Sequence, residues 1–481
     1  MKELKVKGRR NSLPLAMALA PVGLLLVIIV SVIVAYGAES VVSYAPVALA
    51  FSAIVAVGLT CFSGNLRIRA LAAGLRRSAA QTLPAVPMLI CIAVVATTWM
   101  MAGVVPMLIC KGVEWISPSA FLVIACGVSA VVSVLTGSSW STIATIGVAF
   151  MGIGEALGYS QPWIAGAIIS GAYFGDKVSP LSDTTVVASG ACGVDLFKHI
   201  RYLMLTSIPA MAIALGVYAV VGFTSGHADE PTQSDIVAQL SANFNITSYS
   251  LIIPAVTLML IVFRVPTLIT LAAAGAMGFA GIFLFQDIAS LPDALTAIWS
   301  GFVPSTGSEV LDALTATGGI LGMLPTVCLV LCAMLFGASM MGTGMLSRIT
   351  EAVMKCLRTR TQIVGTTVAG GLCMNCATSD QYLSLIVTGN MFKGVYRRNG
   401  LEARLLSRTV EDSVSVTSVL IPWNSCGITQ STVLGVPTIL YFPFCIFNIL
   451  SPCMSLVMAY TGFKIPHASV THRTAPVTPE R

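Results

Sequence analysis

Long apolar runs without a charged residue alternate with short polar stretches along the whole chain. Runs such as 15–34, 45–62, 203–223 and 268–285 are each about as long as a helix that crosses roughly 30 Å of hydrocarbon. A closed β-barrel would instead show alternating segments of about ten residues, and such segments are missing from this sequence. The pattern predicts an all-α polytopic membrane protein.

The apolar segments form two sets that are separated by a polar linker. The first set comprises 14–36, 44–62, 85–110, 120–154, 163–192 and 202–223, and the second comprises 249–263, 267–286, 318–346, 362–391, 409–435 and 438–462. We therefore expect a first transmembrane repeat over 14–223, an external linker over 224–248 and a second repeat over 249–462. The predicted organisation is completed by a cytoplasmic N-terminus over 1–13 and a cytoplasmic C-terminal tail over 463–481.

The distribution of Lys and Arg predicts how the segments cross the membrane, because these residues favour the cytoplasmic side. Basic residues are concentrated in the N-terminus, 63–84, 344–361 and 392–408, whereas 224–248 and 287–317 contain acidic residues and no Lys or Arg. Segment 362–391 then has both ends in the cytoplasm and is expected to be a re-entrant hairpin. Segment 120–154 is expected to be a hairpin that opens outward. Each half would cross about five times and the halves would run in opposite senses, as in inverted-repeat transporters with broken helices at the midplane.

Short sequence matches between the two halves support such a repeat. Trp99–Gly103 resembles Met340–Gly344, the stretch 136–139 aligns with 376–379, and Asp176–Ser179 aligns with Asp412–Ser415. Each match is weak when taken alone, and chance resemblance is the alternative explanation.

Composition narrows the class of protein further. The chain is 56% hydrophobic and 10% charged, whereas a soluble domain has about 25% charged residues. The 13 Cys are scattered without metal-ligand spacing, and the four His fall in predicted loops or at the C-terminus. We therefore expect no metal site built from His, no cofactor, no nucleic-acid binding and no histidine proton relay inside the membrane. The formal net charge of +6 is interpreted as a topology signal.

The most polar stretch within an apolar segment is Gly175–Thr185. Pro180 disfavours helix at the preceding residue and removes a backbone donor, so we expect a break near Ser179–Ser182. Polar groups inside a membrane are costly and therefore usually functional. Candidate cation ligands in this stretch are Ser179, Ser182, Asp183 and Thr184. Asp176 and Lys177 are expected to hold the break or tune the site, and an ion pair of Lys177 with Asp176 or Asp183 is the structural alternative.

Three further stretches combine helix-breaking residues with hydroxyl or amide groups. They supply the candidate cation ligands Ser138 and Ser139 in 136–142, Asn375, Thr378, Ser379 and Asp380 in 375–381, and Asn424 in 411–427. Asp412, also in 411–427, is expected to be structural or to tune the site, like Asp176 and Lys177. The alternatives are close packing by small residues for the first stretch and an Asp at the aqueous boundary for the second. For the third, the alternative is pairing of Glu411 and Asp412 with Arg404 or Arg408.

The motifs in these stretches resemble those of the NhaC family of sodium/proton antiporters. The resemblance is carried by Gly171–Thr185, Leu406–Asp412, Leu420–Gly427, Gly137–Thr142 and Asp380–Ser384. It implies a member of the ion transporter superfamily that exchanges cytoplasmic Na⁺ for external H⁺ and supports pH and sodium homeostasis. Some relatives instead exchange organic acids such as malate and lactate. Val186 and the sequence Ser138-Ser139-Trp140-Ser141 depart from the family's usual residues.

Our hypothesis is that protons and Na⁺ compete for one carboxylate-hydroxyl site, because a cation favours the ionised form that burial disfavours. The Na⁺ site is placed at Asp183, Ser182 and Asp380, with Asp183 as the favoured titrating ligand. The alternative is an organic acid (malate/lactate) or amino-acid antiporter coupled to Na⁺ or H⁺. An enzyme or a passive channel fits less well. We expect an integral protein of a bacterial plasma membrane, in contact with the lipid bilayer and with both termini in the cytoplasm. Assembly as a homodimer is considered as well.

Overall fold

A computed structural model describes residues 13–37, 40–224, 230–263, 265–286, 290–304, 312, 315–353 and 359–465. The described residues form helices joined by short turns, with no strand among the elements. Among the described residues, seven helices are long and apolar enough to cross a membrane, and up to nine spans result if two bent helix pairs are each counted as one. The predicted all-α membrane fold is therefore confirmed. The predicted N-terminus and C-terminal tail lie largely outside the described residues.

The helices of the first half follow the predicted apolar segments, except for Ile68–Thr82, which lies in the basic stretch 63–84 between two of them. They are α1 (Leu15–Tyr36), α2 (Val41–Phe62), α3 (Ile68–Thr82), α4 (Ala85–Met101), α5 (Val104–Trp115), α6 (Phe121–Thr136), α7 (Ser139–Thr142), α8 (Val148–Ala156), α9 (Gln161–Val178), α10 (Asp183–Cys192) and α11 (Leu196–Thr224). A π-helical stretch, Ile143–Gly147, joins α7 to α8. The predicted linker contains one further helix, α12 (Glu230–Asn243).

The second half has a matching order of elements. Its helices are α13 (Ile252–Val262), α14 (Thr267–Phe285), α15 (Leu291–Ser300), α16 (Gly319–Gly342), α17 (Met345–Val353), α18 (Arg360–Thr378), α19 (Gln381–Arg398), α20 (Ala403–Val410), α21 (Ser425–Leu434), α22 (Thr438–Tyr441) and α23 (Ile446–Thr461). A π-helical stretch, Glu411–Ser415, continues α20. We call α6 with α7 and α8 the first hairpin, and α18 with α19 the second hairpin. The first broken helix is α9 with α10, and the second is α20 with α21.

The first broken helix is interrupted where the sequence predicts it. Helix α9 ends at Val178 and α10 begins at Asp183, on either side of Pro180. The sequence predicts one segment over 85–110, whereas the structure divides it at Gly103, which has a φ of 75° and directly precedes α5. Such a left-handed conformation costs glycine little because it has no Cβ.

Close helix packing positions the first hairpin against the first broken helix. A Cβ added to Gly171 would lie 2.0 Å from the carbonyl oxygen of Cys126, and one added to Gly175 would lie 2.3 Å from that of Ala130. Glycines at these two positions let the backbones of α6 and α9 approach each other, as is common between membrane helices.

The buried apolar residues of the described chain form three clusters, or cores. One joins α1 and α2 to α16, and the largest joins α4 to α6, α8, α9, α11 and α14. The third joins α10 and α11 to α18, α19 and α20. The two hairpins and the two broken helices contribute apolar residues to these cores, and many of their polar residues are buried.

Candidate functional site

The tip of the first hairpin is a tight turn built by one glycine and three hydroxyl residues. Helix α6 ends at Thr136, and Gly137 has a φ of 67°. The Ser138 hydroxyl then accepts a hydrogen bond from the backbone N–H of Ser141 at 3.2 Å, which caps α7. The backbone N–H of Ser138 donates to the hydroxyl of Thr136 at 3.1 Å, and this hydroxyl also lies 3.3 Å from that of Thr142.

The tip of the second hairpin repeats this turn with different residues. Ser379 has a φ of 57°, and Asp380 caps α19 by accepting a hydrogen bond from Leu383 N–H at 2.8 Å. The backbone N–H of Asp380 donates to the Thr378 hydroxyl at 3.3 Å, which lies 2.6 Å from the hydroxyl of Ser384.

The two turns correct the register of the repeat proposed from sequence. Thr136 occupies the place of Thr378, whereas the sequence alignment put it opposite Cys376, two residues earlier. Hydroxyl residues lie opposite each other in both alignments, so sequence similarity alone did not show that Thr136 pairs with Thr378. In the match of Trp99–Gly103 with Met340–Gly344, Gly103 and Gly344 both have positive φ, and each directly precedes the first residue of a helix. That the two halves run in opposite senses stays a prediction.

Hydroxyl groups connect the first hairpin to the first broken helix. Ser139 donates to Asp176 Oδ2 at 2.7 Å, and Ser179 donates to the carbonyl oxygen of Val134 at 2.7 Å. In the turn before α10, the hydroxyl of Ser182 caps the helix through the N–H of Thr185. These contacts fix the Asp176 carboxylate beside the hairpin tip.

A cavity of about 190 Å³ lies where these elements meet the second hairpin. Its lining residues are Pro84, Ala85, Met88, Gly137, Ser138, Trp140, Asp176, Asp183, Thr184, Thr267, Gln381 and Tyr382. Two carboxylates, those of Asp176 and Asp183, face this space. The lining residues that the structure describes include no Lys or Arg. The cavity is therefore suited by charge to a cation.

The second hairpin is tied to the second broken helix mainly by backbone and amide groups. The N–H of Ser425 donates to the carbonyl oxygen of Ser379 at 2.9 Å. Asn375 donates to the carbonyl oxygen of Val414 at 2.8 Å, and Asn424 donates to that of Asn375 at 3.2 Å. Asn375 and Asn424 thus hold the hairpin to the broken helix in this conformation and do not line the cavity.

Asp380 lies on a separate, narrow cleft. This cleft is lined by Ser78, Thr82, Val330, Ala333, Met334, Thr378, Ser379, Asp380 and Ser425. The hydroxyls of Ser78 and Ser379 are buried there without a hydrogen-bond partner. The predicted Na⁺ ligands are consequently divided between two places, with Asp183 on the cavity and Asp380 on the cleft.

Lys177 points away from the cavity and pairs with Asp412 of the second broken helix. Sequence analysis considered Asp176 and Asp183 as its partners. The Asp412 carboxylate also accepts hydrogen bonds from Thr206, Ser451 and Ser455. Arg408 Nε lies 3.9 Å from Asp412 Oδ2, which matches one of the pairings considered from sequence. This group of residues joins both broken helices to α11 and α23.

The histidines require a correction. The sequence predicts that all four lie in loops or at the C-terminus, but His199 lies in α11 and is fully buried. Its Nδ1 lies 2.8 Å from the hydroxyl of Ser407. The other three histidines lie outside the described residues. No group of three or more His, Cys, Asp and Glu in the described chain could hold a metal ion.

Sequence analysis did not identify several residues that line the cavity. Trp140, Gln381 and Tyr382 belong to motifs that the sequence singled out, but only their hydroxyl and acidic neighbours became candidates. Thr267 and Pro84 begin or precede helices of other segments. Only their tertiary placement brings them to the cavity.

A helical membrane protein in which two hairpins and a broken helix line a cavity that holds two carboxylates belongs to the class of secondary transporters. More specifically, the chain belongs to the Na⁺/H⁺ antiporter family, whose sequence pattern matches residues 7–195 and 171–463.

Curated relatives within this group differ in what they carry. The chain is 36% identical over 377 residues to the Na⁺/H⁺ antiporter NhaC of Alkalihalophilus pseudofirmus, covering 78% of this chain and 81% of the relative. It is 34% identical to the arginine/ornithine antiporter ArcD of Halobacterium salinarum, covering 82% and 81%. It is 35% identical to the malate-2H⁺/Na⁺-lactate antiporter of Bacillus subtilis, covering 79% and 81%. Similarity of this kind establishes an antiporter family and leaves several substrates to consider.

Proposed function

We propose that the protein exchanges cytoplasmic Na⁺ for external H⁺ across the plasma membrane of a bacterium. The single observation that carries this proposal is the charge of the cavity. Asp176 and Asp183 line it without a described Lys or Arg among the lining residues. A small anion would lack a counter-charge there, whereas a cation would be held by two carboxylates.

The fixed position of Asp176 supports the binding of a hard cation. Ser139 holds one carboxylate oxygen at 2.7 Å, and the hydroxyls of Ser138 and Thr184 line the same cavity. Carboxylate and hydroxyl oxygens are ligands of the type that hard cations prefer. Asp183 adds its charge in the first turn of α10.

The same carboxylates provide a means of coupling Na⁺ to H⁺. Two negative charges near each other repel, and either a proton or a cation relieves the repulsion. Na⁺ binding from the cytoplasm therefore displaces protons, and protonation from the outside releases Na⁺. Asp380 is assigned to a second step of this cycle, because its cleft lies at the tip of the other hairpin.

A second candidate substrate is a cationic amino acid. The cavity has a volume of about 190 Å³. A single water molecule needs only about 10–15 Å³ of cavity volume, so the cavity is larger than one Na⁺ requires. The two carboxylates would pair with a guanidinium or ammonium group. Exchange of malate or lactate, considered from sequence, is disfavoured by the same charges.

The test is a flux measurement with the purified protein in liposomes that contain a pH-sensitive dye. A pH gradient is imposed, and Na⁺, K⁺, arginine, ornithine, malate or lactate is added alone. We expect Na⁺ alone to dissipate the gradient. Asp183→Asn is expected to abolish this response, whereas Asp293→Asn, at an exposed position in α15, serves as the matched control.

Two results would contradict the proposal. A gradient that collapses only with an amino acid or organic acid would reassign the substrate. Full Na⁺-dependent proton movement in Asp183→Asn, with normal protein yield, would remove Asp183 from the site.

A further inference from the structure

A second cavity lies where α1, α2 and α16 end, apart from the one that Asp176 and Asp183 line. We propose that it binds the headgroup of an anionic phospholipid, with Arg67 and Arg348 as the residues that recognise the phosphate. This inference concerns a site other than the cation cavity and does not depend on which ion the protein exchanges.

The size and the walls of this cavity suit a small polar group. Its volume is about 720 Å³, within the range of about 300–1,000 Å³ that is usual for small-molecule sites. The walls come from the stretch before α1, the turn between α2 and α3, the end of α16 and the first turns of α17. The lining residues Gly64, Arg67, Ala70 and Ser347 are exposed, so the cavity is open to the surroundings of the protein.

The cavity lies at the level of the lipid headgroups, because three helices of membrane length end at it. Leu13 precedes the start of α1, Gly64 follows the end of α2, and Gly342 is the last residue of α16. Beside the cavity, the apolar side chains of Phe62 and Ile68 are 92% and 77% exposed. An amphiphile would therefore place its charged group in the cavity and its acyl chains against these two residues.

Positive charge dominates the cavity and its rim. Two arginines, Arg67 and Arg348, and one carboxylate, that of Glu351, line it. The stretch 63–84 contains no Asp or Glu and adds the exposed arginines Arg69, Arg76 and Arg77. Basic pockets between membrane helices on the cytoplasmic side are a recurrent way of binding anionic lipid headgroups. The charge of this cavity thus favours an anion, in contrast to the charge of the cation cavity.

The two lining arginines have donors left for a ligand. Arg348 is held in place, since its Nε donates to the carbonyl oxygen of Leu13 at 2.8 Å and its Nη1 lies 3.5 Å from Glu351 Oε2. These contacts use two of the five N–H donors of a guanidinium. Arg67 takes part in none of the ion pairs between described residues. Guanidinium groups bind phosphate oxygens through two parallel hydrogen bonds, so both side chains are suited to a phosphate.

Close packing of α3 against α16 fixes the walls of the cavity. A Cβ added to Gly74 would lie 2.9 Å from the carbonyl oxygen of Ala338, and one added to Gly342 would lie 2.7 Å from the Cα of Leu71. The backbones of the two helices are therefore in direct contact. A site that is already formed loses little freedom when its ligand binds.

Among the possible occupants, an anionic lipid has the best match of charge and position. The segment that precedes Leu13 is unsuitable by charge, because residues 1–12 contain five Lys or Arg and one Glu. A free phosphate has the same charged group but lacks the acyl chains that would contact Phe62 and Ile68. The basic stretches 63–84 and 344–361 are predicted to be cytoplasmic, and the cytoplasmic leaflet contains anionic lipids.

The test measures lipid binding to the purified full chain in detergent by native mass spectrometry. Phosphatidylglycerol, phosphatidylcholine with the same acyl chains, and inorganic phosphate are titrated in turn. We expect phosphatidylglycerol to bind about tenfold or more tightly than phosphatidylcholine, since each basic residue favours an anionic lipid. Inorganic phosphate at the same concentration should not displace phosphatidylglycerol.

Variants assign the binding to this cavity. Arg67→Gln combined with Arg348→Gln is expected to weaken phosphatidylglycerol binding by about tenfold or more. Arg397→Gln combined with Arg398→Gln removes the same charge from exposed positions at the end of α19 and should leave the affinity unchanged. If loss of the Arg348 contact to Leu13 prevents folding, Arg67→Gln alone decides the question, with an expected loss of about fivefold.

Three results would overturn the proposal. Equal affinities for phosphatidylglycerol and phosphatidylcholine would show that the cavity does not select an anionic headgroup. Equal losses of affinity in the two double variants, or an unchanged affinity in Arg67→Gln when that variant alone is used, would mean that binding does not occur at this cavity. Displacement of phosphatidylglycerol by an equal concentration of inorganic phosphate would show that the site takes a soluble anion and not a lipid.

Discussion

Lys177 and Asp412 form an ion pair in which the two side chains are only 1% and 0% exposed. Lys177 comes from the last turn of α9, and Asp412 comes from the π-helical stretch that continues α20. The pair therefore joins the two broken helices, which are 235 positions apart in sequence. Breaking one side of a buried pair leaves an uncompensated charge, and this costs more than the pair itself contributes.

We predict that Lys177→Met destabilises the protein strongly. Loss of one partner of a buried pair typically costs about 3–5 kcal/mol. The expected result is a lower midpoint of thermal unfolding in detergent and a reduced yield of folded protein. The double variant Lys177→Met with Asp412→Leu should recover only part of this loss, because it removes the carboxylate left without Lys177 but also takes away the anion beside the buried Arg408.

The exposed pair between Lys111 and Glu114 is the control for this prediction. Surface ion pairs contribute about 0–1 kcal/mol, so Lys111→Met should change the unfolding midpoint little. Equal changes of the unfolding midpoint in Lys177→Met and Lys111→Met would show that burial of the Lys177–Asp412 pair does not increase the cost of breaking it.

The helices and one break were predictable because they depend on local sequence. Apolar runs without charge specify membrane-length helices, and Pro180 specifies the interruption between α9 and α10. The partner of Lys177 was not predictable, since Asp176 and Asp183 are close in sequence whereas Asp412 reaches it only through tertiary packing. The cavity could not be predicted for the same reason, because tertiary packing brings together the first hairpin, the first broken helix and α19.

His199 shows how a topology signal can mislead about burial. Lys198 and Arg201 favour a cytoplasmic position for the segment, and the sequence predicts a loop there. The chain instead begins α11 at Leu196, where the N–H of Lys198 donates to Asp195 Oδ1 at 3.0 Å. One residue later, His199 faces Ser407 and is enclosed. A helix end can thus carry exposed and buried polar residues within a single turn.

Gly171 provides a test of the packing between α6 and α9. A Cβ at this position would lie 2.0 Å from the Cys126 carbonyl oxygen, so Gly171→Ala must push the two helices apart. Overpacking of this kind costs about 1–3 kcal/mol or more. We expect Gly171→Ala to lower both the unfolding midpoint and transport, measured by thermal unfolding and by proton flux in liposomes.

Gly190 in α10 is the matched control, because a Cβ there would meet no atom within 4 Å. Alanine is favoured over glycine within a helix by roughly 1 kcal/mol, so Gly190→Ala should be neutral or stabilising. Tolerance of Gly171→Ala would mean that the close approach of α6 and α9 is not needed.

Ser139 is predicted to set the affinity of the cavity for Na⁺. Its hydroxyl donates to Asp176 at 2.7 Å, and a hydrogen bond to a charged group contributes about 1.5–3 kcal/mol. Ser139→Ala removes this support from the ionised carboxylate, so protons should compete better against Na⁺. We expect the half-saturating Na⁺ concentration of proton flux to rise by about tenfold or more, since 1.4 kcal/mol corresponds to about tenfold.

Competition between protons and Na⁺ makes the effect of Ser139→Ala depend on pH. The rise in the half-saturating Na⁺ concentration should be largest at acidic pH, where protons compete most strongly, and smaller at alkaline pH. Ser207→Ala is the control, because the Ser207 hydroxyl donates only to the carbonyl oxygen of Leu203 within its own helix. An unchanged Na⁺ dependence in Ser139→Ala would argue against Asp176 as a cation ligand.

Asp380 allows the charge of a carboxylate to be separated from its role as a helix cap. Its side chain accepts the hydrogen bond from Leu383 N–H that begins α19, and Asn caps helices about as well as Asp. Asp380→Asn should therefore fold with an unchanged unfolding midpoint, whereas Asp380→Ala should lose about 0.5–2 kcal/mol of stability. If the charge takes part in the transport cycle, as we propose, both variants lose Na⁺-driven proton flux. If Asp380→Asn transports normally and only Asp380→Ala is impaired, the residue is a structural cap, and the cavity carboxylates Asp176 and Asp183 carry the exchange without it.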